Sequence, residues 1–377
     1  MSQIRKIILV AGARPNFMKV APIWHELRKY PEYFRPLLIH TGQHYYYIMS
    51  KAFFEDLGIT RPDIHLGVGS GTHATQTAKI MLKFEKVCLK EKPDLVMVVG
   101  DVNSTLACSV VAAKLLTPLA HVEAGLRSFD RSMPEEVNRI VTDSLSDFLF
   151  TTCEDANENL RREGVSEEKI FFVGNVMIDS LLKFRVKAET KGSIKMEEKS
   201  YAVLTLHRPS NVDSKEVFRN ILEALTEVSN RIPILFPAHP RTQERITSFG
   251  YESFFSRFTK PNSNKSISLR NSIFILDPLP YLQFLNLMSN AKFVLTDSGG
   301  IQEETTILGI PCLTLRKNTE RPITVTEGTN KVVGTDKEQI ITESLNILSG
   351  GGKIGRIPKL WDGKAAERIV EILKENL

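Results

Sequence analysis

Val98-Val-Gly-Asp-Val-Asn-Ser-Thr105 and His121-Val-Glu-Ala-Gly-Leu-Arg-Ser-Phe-Asp-Arg-Ser-Met-Pro-Glu-Glu-Val-Asn-Arg139 are the stretches on which the reading of the fold turns. Each begins at the end of a short apolar run, Leu95–Val99 and Leu119–Val122, that reads as a buried strand. In an open α/β sheet ligands sit outside the carboxyl ends of such strands, which is where Asp101 and Glu123 fall. Glu135 and Glu136 open a helix after Pro134, so this reading brings up to four carboxylates to one crevice. Local structure offers other uses for some of them. Ser132-x-x-Glu135 ahead of Val137, Ile140 and Val141 is also a capping box, and Asp101 is also a candidate N-cap for a helix over 105–116. Glu123, followed by Ala124-Gly125, has little local structure to stabilise.

Outward from this centre, apolar runs of strand length alternate with helical periodicity. Strands are expected at Lys6–Val10, Pro36–Ile39, Phe148–Thr151 and Ile170–Val173. Helices are expected over Phe17–Tyr30, Ala74–Lys90 and Glu135–Ser146, and from Val176 to Arg185. Such alternation predicts a doubly wound parallel sheet. Lys187–Ser200 is charged, poor in large apolar residues and broken by Gly192, as a linker would be. A second βα series follows, with strands at Tyr201–Leu206, Ile234–Pro237, Ile273–Leu276 and Phe293–Thr296. The expectation is an α/β protein of two Rossmann-like domains facing across a cleft, 1–186 and 187–362, with a last helix over 363–377.

A chain of 377 residues can build two cores, and 42% hydrophobic with 25% charged residues is the composition of a soluble globular protein. The net charge of +5 mildly favours anionic ligands, while no Lys/Arg block is dense enough to argue for nucleic acid. Cys88, Cys108, Cys153 and Cys312 are scattered without a Cys-x-x-Cys pair, as expected for reduced thiols in the cytoplasm. The run Ile7–Gly12 meets Arg14-Pro15 too soon for a signal peptide. No run approaches the ~20 apolar residues of a membrane helix.

Several turns carry ligand chemistry. Ala11-Gly-Ala-Arg-Pro-Asn16 joins strand to helix but lacks Gly-x-Gly-x-x-Gly, so no nicotinamide site is read there. Arg14 and Lys19 supply positive charge at that helix start, where backbone N–H groups also attract anions. His40-Thr-Gly-Gln-His44 spaces two histidines four apart, but Gly42 makes this a turn and no metal is expected. His207 ends a strand at the crevice position. Asp297-Ser-Gly-Gly-Ile-Gln-Glu-Glu304 is a strand, glycine turn and helix start that presents N–H groups and a hydroxyl to a phosphate. Glu304, one helical turn on, has the reach to bind a ribose diol, and Arg321 can make a charge-assisted contact to a nucleotide.

Gly100-Asp-x-x-Ser-Thr, His121-Val-Glu-Ala-Gly-Leu-Arg-Ser and Pro134-Glu-Glu-x-Asn-Arg resemble the signature series of the non-hydrolysing UDP-N-acetylglucosamine 2-epimerases. Gly12-Ala-Arg-Pro, the Asp297–Glu304 stretch and Thr319-Glu-Arg-Pro complete the series in the family's order over most of the chain. The resemblance implies a nucleotide-sugar substrate, no cofactor, a homodimer and a role in cell-surface polysaccharide synthesis. It assigns catalysis to Asp101, Glu123 and Glu135, which handle the proton, and to His207 at the leaving diphosphate, and UDP-sugar contacts to Arg14, Lys19, Asp101, Glu123, His207, Ser298, Gly299, Gly300, Glu304 and Arg321. Phe284 would lie on the uracil side, with a backbone contact at Leu279. Gln43, His44 and Gln76, together with Glu136, match positions tied to a second, activating substrate molecule in bacterial members. Tyr45-Tyr-Tyr departs from the Arg-Glu-Met usual there, and Pro209-Ser-Asn from the usual Arg-Glu-Asn. By analogy with glycosyltransferase-B-like folds, the last helix would cross back to the N-terminal domain. The rivals implied are a hydrolysing relative, an epimerase of UDP-diacetamido-glucuronic acid and a glycosyltransferase of the same build.

Overall fold

The computed structural model describes residues 4–43, 54, 57–59, 61–190, 194, 197–257 and 272–377. The chain divides into two compact units, Met1–Leu182 with Lys359–Leu377, and Lys183–Pro358.

The first unit's strands are β1 (Arg5–Ala11), β2 (Phe34–His40), β3 (Ile64–His65), β4 (Leu95–Val99), β5 (Leu119–Ala124), β6 (Phe148–Thr151) and β7 (Ile170–Phe172). Helices α1 (Arg14–Leu27), α2 (His73–Glu91), α3 (Asn103–Lys114), α4 (Pro134–Leu145) and α5 (Glu154–Arg162) connect them, and α6 (Val176–Glu189) follows β7. Every strand pairing is parallel, in the order β3-β2-β1-β4-β5-β6-β7. Covered by helices on both faces, β4 reads Leu-Val-Met-Val-Val with every residue buried. Strand order reverses between β1 and β4, where Ile7, Ile8 and Leu9 pair with Leu95, Val96 and Met97. The loops leaving their carboxyl ends diverge there and open a crevice.

The second unit repeats the plan with β8 (Ala202–Thr205), β9 (Ile234–Pro237), β10 (Phe255–Arg257), β11 (Ile273–Leu276), β12 (Phe293–Thr296), β13 (Cys312–Thr314) and β14 (Asn330–Val332). Its order is β10-β11-β9-β8-β12-β13-β14, again all parallel, with the reversal between β8 and β12. Its helices include α7 (Pro209–Val212), α8 (Lys215–Ser229), α9 (Pro240–Phe249), α10 (Tyr281–Ser289), α11 (Gly299–Leu308), α12 (Pro322–Thr326) and α13 (Lys337–Leu348). Its core is continuous from Leu204 and Phe236 to Phe218 and Ile340. The last helix, α14 (Ala365–Asn376), belongs to the first unit and packs on α1. Its start is tied down by the Asp179 carboxylate, which accepts from the N–H groups of Ala365 (3.2 Å) and Ala366 (2.8 Å). Trp361 Nε1 donates to Thr152 O at 2.8 Å just ahead of it.

The two Rossmann-like sheets are those the alternation predicts, with differences of detail. The short β3, β10, β13 and β14 fall below the length at which periodicity is readable. Helix α6 runs on to Glu189, past Arg185 where the helix was expected to end. The expected capping box at Ser132 does not form. Met133 holds the N-cap position of α4 with Pro134 at the first turn, and Ser132 Oγ instead donates to Asp130 at 2.6 Å. Nor is Asp101 an N-cap, since that position of α3 belongs to Val102. The four cysteines are buried thiols, none of them in a disulfide. Among the described residues, no helix is long and apolar enough to cross a membrane.

Candidate active site

In the first unit Lys19 and Glu123 meet beside the Gly100 turn at the β1/β4 reversal, with Asp101 next on that turn and Arg14 at the start of α1. The turn after β1 is shaped by Asn16, whose Oδ1 accepts from Gly12 N (3.2 Å) and Ala13 N (2.8 Å) while its Nδ2 donates to Val99 O (3.0 Å). Nothing larger than glycine fits at Gly12, because a Cβ there would lie 2.3 Å from Ser104 Oγ. Arg14 is the first residue of α1, half-buried, and Lys19 is buried one turn on with its Nζ against the Glu123 carboxylate.

Glu123 occupies a strained position. Its φ of +71° lies in the left-handed region, and the β5–β6 register shifts between Val122 and Ala124. A bulge re-aims one side chain, and a non-glycine residue in that region costs about 1–3 kcal/mol. The result is a carboxylate only 2% exposed, directed at Lys19 beside the Gly100 turn. A Cβ at Gly100 would stand 3.0 Å from Lys19 Nζ and 3.4 Å from Glu123 Oε2. Asp101 therefore leaves the same turn that Lys19 and Glu123 line.

The Asp101 side chain is 29% exposed and pairs with Arg139 of α4, while its carbonyl accepts from Asn138 Nδ2 at 2.8 Å. Arg139 also grips Glu136 through Nε (3.1 Å) and Nη2 (2.7 Å). The Glu136 carboxylate further accepts from Ser128 N (2.9 Å) and Phe129 N (2.9 Å), which holds Phe129 at a φ of +57°. Burial pushes the Glu136 carboxyl up, but the Ser128 N–H and the Arg139 guanidinium outweigh it and hold the group below its ordinary range. Glu135, the neighbouring residue of α4's first turn, is half-buried.

Gln43 and Gln76 are both buried and are committed to protein partners. Gln43 Oε1 accepts from Ser104 N (3.0 Å) and Oγ (2.6 Å), and Gln76 Nε2 donates to Gln43 O and Gly69 O, each at 3.0 Å. Asn103 Nδ2 donates to Gln76 Oε1 at 2.8 Å. His44 and Tyr45–Tyr47 lie outside the described residues.

In the second unit the reversal lies between β8 and β12, and the candidate residues again leave these two strands. Asp297 is fully buried and accepts from His207 N (3.0 Å), Arg208 N (2.9 Å) and Asn211 Nδ2 (3.2 Å). It also lies 3.2 Å from His207 Nδ1, and the His207 side chain is 44% exposed. Ser298 holds the N-cap position of α11 without a side-chain capping bond. The two glycines that follow differ in purpose. A Cβ at Gly299 would lie 2.6 Å from Arg321 Nη1, whereas a Cβ at Gly300 would meet nothing within 4 Å. Gly299 thus admits the arginine beneath the turn, and Gly300 leaves the turn's outer side open. The helix dipole and the first N–H groups of α11 favour an anion there.

Arg321 Nε donates to Glu303 Oε1 at 2.8 Å. Glu320 is chelated by Arg316 at 2.8 Å through both oxygens. Glu304 is 3% exposed, and its Oε1 accepts from the Tyr281 hydroxyl at 2.8 Å. Burial, opposed by that hydroxyl and reinforced by Glu303, pushes its carboxyl up to about 7. Leu279 lines a cleft of about 870 Å³ past the carboxyl end of β11, with Leu276 and Gln283. Phe284 sits half-buried in the first turn of α10.

Asn16, Asn138, Arg139 and Tyr281 escaped the sequence reading. For Asn138 and Arg139 a signal existed, since they lie three and four residues past Glu135, on the same helical face. For Tyr281 there was none, because its partner Glu304 is distant in sequence; Asn16 bonds locally to Gly12 and Ala13, and only its hold on Val99 is distant.

A family model described as UDP-N-acetylglucosamine 2-epimerase matches residues 25–374. The UDP-N-acetylglucosamine 2-epimerase of Methanocaldococcus jannaschii is 45% identical over 376 residues, covering 98% of each chain. The crystal structure of that organism's UDP-GlcNAc 2-epimerase in complex with UDP-GlcNAc and UDP superposes with a TM-score of 0.87 at 44% identity, covering 98% of this chain and all of the other. The UDP-2,3-diacetamido-2,3-dideoxy-D-glucuronate 2-epimerase of Pseudomonas aeruginosa is 39% identical, over 98% of this chain and 99% of its own.

Proposed function

The chain belongs to the UDP-N-acetylglucosamine 2-epimerase family, and from that premise we propose that it interconverts UDP-N-acetylglucosamine and UDP-N-acetylmannosamine by eliminating and re-adding UDP. The C2 hydrogen of an N-acetylhexosamine has no neighbouring carbonyl to acidify it, so direct proton abstraction is unfavourable. If a base removes that proton while the C1–O bond to UDP breaks, the electron pair forms the C1=C2 double bond of a 2-acetamidoglucal and UDP departs as an anion. Protonation of C2 from the opposite face and return of UDP to C1 complete the inversion.

In this scheme Asp101, Glu123 and Glu135 handle the proton, Arg14 and Lys19 supply positive charge beside them, and His207 with the Ser298–Gly300 turn takes up the charge on the departing diphosphate. Glu304 binds the ribose diol. Exclusion of water keeps the glycal from being hydrated. The carrying observation is Glu123, a buried carboxylate held in a left-handed conformation against Lys19, beside the Gly100 turn from which Asp101 projects. A protein retains such strain where the aim of the side chain matters.

The test is UDP-N-acetylglucosamine alone in heavy water, followed by NMR. UDP-N-acetylmannosamine carrying deuterium at C2 is the expected product. Free N-acetylmannosamine identifies a hydrolase. Unchanged substrate overturns the assignment, and turnover of UDP-diacetamido-glucuronic acid in its place would identify the other sugar.

A further inference from the structure

The ring of His121, on β5, is fully buried between two groups that only accept hydrogen bonds. Nδ1 lies 2.5 Å from Asp143 Oδ1, and Nε2 lies 2.9 Å from Gly100 O. A neutral imidazole has one N–H and one lone pair, so either tautomer would set a lone pair against an oxygen at hydrogen-bonding distance. Only the doubly protonated ring satisfies both contacts.

The surrounding charges agree. Asp143, from α4, also accepts from Gly125 N at 3.0 Å and pairs with Arg127 Nη1 at 2.7 Å. Arg127 forks onto Glu163 through Nε (2.7 Å) and Nη2 (2.6 Å). Burial pushes the Asp143 carboxyl up, yet His121 and Arg127 hold it below its ordinary range. Arg127 is thus shared between the buried Asp143 and the partly exposed Glu163, which leaves part of the Asp143 charge to be met by the ring. On the neighbouring strands His121 pairs with Val98 and Leu149, which bring no charge, and beyond Gly100 stand Lys19 and Glu123.

We propose that His121 is a buried imidazolium and a positioning residue: its two N–H groups clamp Gly100 and Asp143, and so fix the segments that carry Asp101 and Glu123. Gly100 immediately precedes Asp101, and Gly125, held by the other oxygen of Asp143, follows Glu123 by two residues. One proton on the ring therefore joins the ends of β4 and β5. The inference rests on the assignment of Asp101 and Glu123 to proton transfer, although the charge of His121 is measurable without it.

Two measurements test this. In protein labelled with ¹⁵N-histidine, long-range ¹H–¹⁵N correlation, with His121 assigned through its backbone amide, should show both ring nitrogens protonated at pH 7.5. The pattern of a neutral tautomer at pH 7.5 overturns the proposal. His121→Gln should lower kcat for C2 exchange at least tenfold while the UDP Kd stays within twofold and far-UV circular dichroism is retained. A kcat within twofold of wild type overturns the positioning role, as does an equal loss of UDP affinity. Absence of C2 exchange in the wild type would defeat the proposed function instead, and the ring nitrogens would still decide the charge of His121.

Discussion

The titration of Glu304 gives a prediction with opposite signs in two assays. Its carboxyl is pushed from the ordinary 4.5 up to about 7 by burial, with Glu303 adding to the effect. To accept two hydrogen bonds from a ribose diol the group must be ionised. Its ionised fraction is about 0.9 at pH 8 and about 0.1 at pH 6, so UDP affinity should weaken about tenfold over that interval, or about 1.4 kcal/mol. For stability the sign is reversed. The folded state holds this proton more tightly than the unfolded state, so the contribution is whole below pH 4.5 and is lost as pH rises through about 7, up to roughly 3 kcal/mol. Glu304→Gln removes both dependences. Isothermal titration calorimetry with UDP should give a Kd that rises between pH 8 and 6 more steeply in the wild type than in the variant, where only the titration of UDP itself remains. Chemical denaturation should show the variant gaining on the wild type as pH rises from 5 to 8. Parallel pH profiles for the two proteins in both assays would refute the placement of this carboxyl and its role.

Three further outcomes are expected. Asp101→Asn and Glu123→Gln should each slow C2 hydrogen exchange by NMR at least a hundredfold, in the range of general acid–base contributions, while the UDP Kd by calorimetry changes less than threefold. Gly300→Ala should melt within about 2 °C of wild type, since its Cβ meets nothing within 4 Å, a change well inside ~1 kcal/mol. It should nevertheless weaken UDP binding at least tenfold, because the methyl group would occupy the approach to the α11 N–H groups. Asn16→Ala, which removes three buried hydrogen bonds, should cost about 2–3 kcal/mol in urea denaturation and lower kcat/KM through the displaced Arg14 turn.

The sequence alone was enough for the architecture, because the relevant information is local. An apolar run of strand length bounded by turn residues, such as Leu95–Val99, reads as a buried parallel strand when helical patterns alternate with it. The helix pattern between such runs then dictates a doubly wound sheet. The positions of Asp101, His207 and Ser298 just past strand ends were legible for the same reason, whereas Glu123, expected past its strand, lies within β5, which runs on to Ala124 around a bulge. Strands of two or three residues, such as β3 and β14, were not, since so few residues carry no period.

Tertiary structure decided which groups meet. Lys19 and Glu123 are 104 residues apart in sequence and come together only because β1, β4 and β5 are neighbours in the sheet order. The left-handed turn of Glu123 depends on a bulge against β6 that no local preference foretells. Arg139 spans Asp101 and Glu136, and His121 is enclosed by Asp143 and the carbonyl of Gly100. Side-chain type and spacing state what a residue can do, but its partner, burial and charge are properties of the packed chain, where a low-dielectric interior amplifies each contact.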